Sequence, residues 1–212
     1  MSTPGRAHRT TYHHGDLRNA LVEAATAAVR AGGPAALVVR EIAREVGVSP
    51  NAAYRHFASH ADLLATVAAV ARRDMARAML ERLAGVPGGP RAAHARLGAV
   101  GRGYVEYAVA EPGLFRAAFD GAAVAGPPGA ADPRDPHPDP WWLLQERLDE
   151  LAATGDLDPD RRAVAGTTAW AAVHGLAVLL VEGPLAGLGA ADREAVLADL
   201  LRTVDEGLTA RR

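Results

Sequence analysis

Apolar side chains recur every three or four positions along almost the whole of this 212-residue chain, and strand signals are nearly absent. That period turns one face of a helix toward a core, so the fold class it implies is all-α. The first stripe is Leu17, Ala20, Leu21, Ala24, Ala28 and Val29, behind Asp16 as the expected N-cap, and "GGP" at 32–34 ends it. A short second helix over about 40–46 turns Ile42, Ala43 and Val46 inward and leaves Gly47 where a left-handed residue is wanted. Ser49 and Pro50 have the chemistry of an N-cap and first turn for a third helix, which stops near Ala58. Ser59 with Asp62 predicts a capping box for a long fourth helix through Leu63, Leu64, Val67, Val70 and Met75.

Beyond "GVPGGP" at 85–90 the period resumes through Leu97, Val100, Tyr104 and Ala108, until "EPG" at 111–113 breaks it. A short helix over "LFRAAF" follows, then a segment, 121–140, with six Pro and three Gly, read as an exposed or mobile connection. Three more helices are expected at about 141–154, 159–182 and 190–210. The most apolar run, "VHGLAVLLVEG" at 173–183, is shorter than the ~20 residues needed to cross a bilayer. With no signal-type N-terminus and no Cys, the expectation is a soluble cytoplasmic chain, without a membrane partner or a disulfide framework.

Charge is distributed unevenly. Residues 1–60 hold seven Arg against four acids, together with five of the eight His, whereas the remainder is acidic. The basic end is therefore the candidate polyanion-binding end. Composition bias accounts for the use of Arg without Lys, though not for its placement.

Two short helices joined by a glycine turn form a helix-turn-helix, whose second helix enters the major groove. Ala53 and Phe57, four apart, anchor that helix, so Asn51, Ala52, Arg55 and His56 face outward. Ala52 permits close approach to a base, Tyr54 offers a hydroxyl to phosphate, and Arg40 can reach phosphate or guanine. A surface corner of an ordinary helical bundle has the same period; the glycine turn, the Ser-Pro cap and the basic half favour DNA.

The stretch "REIAREVGVSPNAAYRHFASHADLL", 40–64, resembles the TetR-type (tetracycline-repressor-like) transcriptional regulators. "YHHGDLRNALVEAA" at 12–25 and "WAAVHGLAVL" at 170–179 resemble a subgroup with a Trp-His-Gly signature in its C-terminal domain. The resemblance implies a DNA-binding head over 1–60 and an effector-binding and dimerisation body over 61–212. It also implies an Ω-shaped homodimer paired through the last two long helices, which binds a palindromic double-stranded operator and is released by a small-molecule effector. DNA-facing positions carried over are Arg40, Ser49, Asn51, Ala52, Tyr54, Arg55, His56 and His60. Two departures from the family pattern stand out: Val38 and Val39 replace a common Thr or Ser before the second helix, and His60 replaces a common Lys.

The body's large or polar-tipped side chains are Tyr104, Tyr107, Phe115, Phe119, Trp141, Trp142, Trp170 and His174. Together they suggest a pocket in a helical bundle, with Trp170 and His174 on one helix face, although core or dimer packing suits each taken singly. His13, His14 and Asp16 make no convincing metal site, because adjacent histidines splay apart. A basic arm is the better reading there, with Arg6 and Arg9 able to enter a minor groove or to act as a solubilising tail. No catalytic nucleophile, cofactor-binding loop or metal cluster is evident, so the chain is expected to be neither an enzyme nor a cofactor carrier. Alternatives are an architectural DNA binder without an effector, and a helical small-molecule-binding protein with a vestigial head.

Overall fold

A computed structural model describes residues 14–89, 91–119 and 139–209. Among them every regular element is helical: α1 (His14–Gly32), a 3₁₀ turn (Pro34–Ala36), α2 (Val39–Glu45), α3 (Pro50–Ala53), α4 (His60–Ala84), α5 (Ala92–Ala110), α6 (Pro112–Ala118), α7 (Pro140–Ala153), α8 (Pro159–Val181) and α9 (Ala190–Thr209). The arm with Arg6, Arg9 and His13, and most of the Pro-rich segment, lie outside the described residues. The first helix begins at His14, two residues ahead of the expected Asp16.

In the head, the one-face burial of Leu21, Ala25 and Val29 holds α1 against α2 and α4. Gly33, at φ 74°, ends α1 by donating its N–H to the Val29 carbonyl. At the end of α2 the Val48 N–H reaches the Ala43 carbonyl and the Gly47 N–H reaches that of Arg44, with Gly47 at φ 79°. That pair is the Schellman arrangement, which fixes the α2–α3 turn and requires the left-handed residue foreseen at Gly47. Ser59 Oγ accepts the Asp62 N–H, but Asp62 Oδ2 reaches back to the N–H of Ala58 rather than Ser59, one residue short of a strict capping box.

The 25-residue α4 belongs to head and body alike: it packs on α1 and also on α5, α6 and α7. α8 lies among α5, α7 and α9, burying Ala165, Ala169, Val173 and Ala177 on one face. The reading of its apolar run as too short for a bilayer needs correction. Over the whole 23-residue helix an 18-residue window has mean hydropathy 1.7, enough by length and composition. Its packing against three neighbours is that of a core helix, and Val164, Val178 and Leu179 project from the opposite side.

α6 is the wedge between head and body. It packs on α4, α1, α5 and the 3₁₀ turn, and the cause is Gly113. A Cβ there would overlap the Val29 carbonyl oxygen and come within 2.8 Å of that of Arg30, so only glycine lets α6 sit on the C-terminus of α1. Arg30 Nε pairs with Glu111 at 2.9 Å across the same junction.

Candidate nucleic-acid interface and effector cavity

The third helix is shorter than its sequence pattern suggests. Regular α geometry covers Pro50–Ala53, with Ser49 Oγ accepting the Ala52 N–H at 3.3 Å. The turn then tightens: the N–H groups of Arg55 and His56 bond three residues back, to Ala52 and Ala53, while that of Phe57 bonds four back, to Ala53. Ala53 and Phe57 are buried beneath. Arg40, Asn51 and Arg55 are exposed, Ala52 and His56 are partly so, and Tyr54 is 49% exposed, so they present one outward surface. Ser49 is also exposed, but its hydroxyl is engaged as a cap.

Arg18 was not foreseen. Its guanidinium lies 4.8 Å from the centre of the Phe57 ring, tying α1 to the end of the recognition segment by a cation–π contact. Nothing local in the sequence pairs residues 39 apart. Val38 occupies the N-cap of α2 with no side-chain hydrogen bond, and Val39 is buried. His60 Nε2 bonds the Leu37 carbonyl at 2.9 Å; since a carbonyl only accepts, the ring carries its proton on Nε2.

In the body, Tyr104 stands at the centre of a ring cluster. Its hydroxyl lies 2.8 Å from His174 Nδ1, its ring meets Phe115 edge-on at 6.1 Å, and Phe119 lies 4.8 Å from the His174 ring. Trp170 stacks tilted on His174 at 5.2 Å and meets Trp141 edge-on at 6.1 Å. Burial pushes the Tyr104 phenol well above its ordinary range and lowers His174, so both stay neutral near neutral pH.

A cavity opens beside Tyr104 and Trp170, lined further by Met79, Leu97, Val100, Leu144, Val173, Leu201 and Val204 with Gly98 and Gly101. About 490 Å³ is free of atoms, solvent at its open mouth included, but most of it is too narrow for water. Of the residues expected to bind ligand, Tyr104 and Trp170 line it, while Phe115, Phe119 and His174 form the cluster behind them. Trp142 is 52% exposed and points away; Trp141 is the tryptophan that packs inward. Tyr107 is buried apart from the cluster, in the field of Asp74, Glu111, Arg30 and Arg77, with its hydroxyl unpartnered. A choice guided by large aromatics passed over the small and aliphatic wall.

This is a helix-turn-helix head wedged onto a helical body with a cavity, the architecture of a DNA-binding transcriptional regulator. Residues 21–73 match the family described as bacterial regulatory proteins, tetR family, and residues 97–204 match the tetracyclin repressor-like C-terminal domain. The chain belongs to the TetR family. Its fold resembles that of a protein of unknown function from Rhodococcus sp. RHA1, with 27% identity, 95% of this chain and 100% of that one covered, and a TM-score of 0.70. It also resembles a TetR variant from Acinetobacter baumannii AYE in complex with minocycline, with 17% identity, 90% and 97% covered, and a TM-score of 0.62. A putative tetR family transcription regulator from Shewanella sp. PV-4 shares 15% identity, with 92% and 98% covered and a TM-score of 0.59. No curated protein matches the chain.

Proposed function

We propose that the protein is a cytoplasmic, ligand-responsive transcriptional repressor of the Trp-His-Gly subgroup, acting by binding rather than catalysis. As a homodimer it holds a palindromic operator through Arg40, Asn51, Ala52, Tyr54, Arg55, His56 and His60, and an apolar or amphipathic effector in the body releases it. The single observation that carries the reading is the double engagement of α6. Gly113 seats the helix on the Val29 and Arg30 carbonyls of the head, while Phe115, two residues on, packs in the Tyr104–His174 cluster. Ligand that displaces the cluster therefore moves the support of α1, which is a differential contact of the kind allostery requires.

A small molecule bound in a neighbour of the same fold supports the cavity assignment. The dimer follows from the apolar residues Val164, Val178, Leu179 and Val196, exposed on α8 and α9, which two-fold pairing of those helices would cover. The test is selection of fragments from the source genome with purified protein, followed by a ligand screen on the best fragment. Compounds that raise the melting temperature are expected to lower fragment affinity as well. Binders that raise it yet never change that affinity contradict effector control, and a protein that holds random DNA as tightly as the selected fragment is an architectural binder instead.

A further inference from the structure

A second, wider space abuts the inner cavity. It is a groove between the end of α4, α5 and α9, broader and more open to solvent than the inner space. Gly98 and Leu201 line both spaces, so they form the wall between them. A Cβ built on Gly98 meets no atom within 4 Å, so the position is an opening rather than a close helix contact. Gly101, one turn on, is the opposite case: its Cβ would lie 2.6 Å from Leu201 Cδ2, so glycine there lets Leu201 close over α5.

We propose that the effector is an uncharged, apolar molecule that reaches the inner cavity from the α4–α5–α9 groove, through the gap that Gly98 leaves beside Leu201. This rests on the effector role assigned to the cavity above. None of the described residues lining the cavity is charged, and the Tyr104 hydroxyl is already engaged with His174 Nδ1 at 2.8 Å. An ionised ligand would lose its hydration there with nothing to replace it. The groove does not recruit anions either, because Arg82 pairs with Glu106 at 2.5 Å and Arg102 with Glu194 at 2.7 Å. Leu201 is half-buried at the end of a flexible side chain, so the narrow cavity widens at that wall first.

A matched pair of dyes tests both parts in the full-length protein. N-phenyl-1-naphthylamine is neutral, and 1-anilinonaphthalene-8-sulfonate is the same ring system with a permanent negative charge. The neutral dye is expected to bind with energy transfer from tryptophan, and the sulfonate about ten-fold or more weakly. Gly98→Leu, and Leu201→Phe from the other side of the gap, are expected to slow association of the neutral dye about ten-fold with circular dichroism unchanged, and Gly98→Leu to leave melting unchanged as well. Equal affinity for the two dyes overturns the uncharged class. An unchanged association rate in both variants overturns the route, and no binding of the neutral dye to the wild type overturns both. Dye binding that depends on Gly98 but leaves genomic-fragment affinity untouched upholds route and class and removes the effector role alone.

Discussion

Gly113→Ala tests the junction through which the body is held to act on the head. The added methyl overlaps the Val29 carbonyl oxygen and comes within 2.8 Å of that of Arg30. Both are backbone atoms, so neither can swing aside as a side chain would. Overpacking of this kind costs about 1–3 kcal/mol, with the upper end apt against backbone, and the better helix propensity of Ala returns up to about 1 kcal/mol. A net loss of about 2 kcal/mol lowers the melting temperature by about 4–8 °C for a chain of this size. α6 must lift from α1, so operator affinity is expected to fall as well, and the effector's influence on it to shrink. The control is Gly98→Ala, whose methyl meets nothing and should leave melting equal or slightly raised. Calorimetry and fluorescence anisotropy on the same samples suffice. If Gly113→Ala melts within about 1 °C of wild type and binds the operator equally, with effector response intact, α6 is not the coupling element.

Ser49→Ala removes the cap on the Ala52 N–H and is expected to cost about 1 kcal/mol, with Ser49→Gly costing only a few tenths, as read by thermal melting. His60→Lys is expected to steepen the salt dependence of operator binding by up to about one counterion per head; an identical slope in salt titrations would leave His60 as a bond to Leu37 and nothing more. Val164→Glu with Leu179→Glu places charge on the exposed α8 face and is expected to give monomers in sedimentation at micromolar concentration; a persistent dimer moves the interface elsewhere.

What was legible in the sequence was mostly local. The Gly47 turn, the Ser49–Pro50 cap and the Ala53–Phe57 anchors each depend on residues a few positions apart, and each took the shape their chemistry dictates. The three final helices fell within a residue or two of their observed ends because Asp139–Pro140 and Asp158–Pro159 are strong starts. The cavity was less legible. Met79, Gly98, Leu144 and Leu201 come from four helices, and no spacing along the chain announces that they meet. Trp141 and Trp142 are adjacent, and a shift of 100° about α7 decides which packs inward. Gly113 read as a helix breaker, whereas its use is the close approach of α6 to α1.

The central claim is that the outward face of the recognition segment holds DNA, and it is tested most directly by anisotropy titration of the best genomic fragment with wild type, Arg40→Ala, Tyr54→Phe and His56→Ala. Each variant is expected to keep the wild-type circular dichroism and to lose about 1–3 kcal/mol of binding, roughly five- to 150-fold in affinity. Wild-type affinity in all three, with the fold intact, contradicts the assignment of that face to DNA.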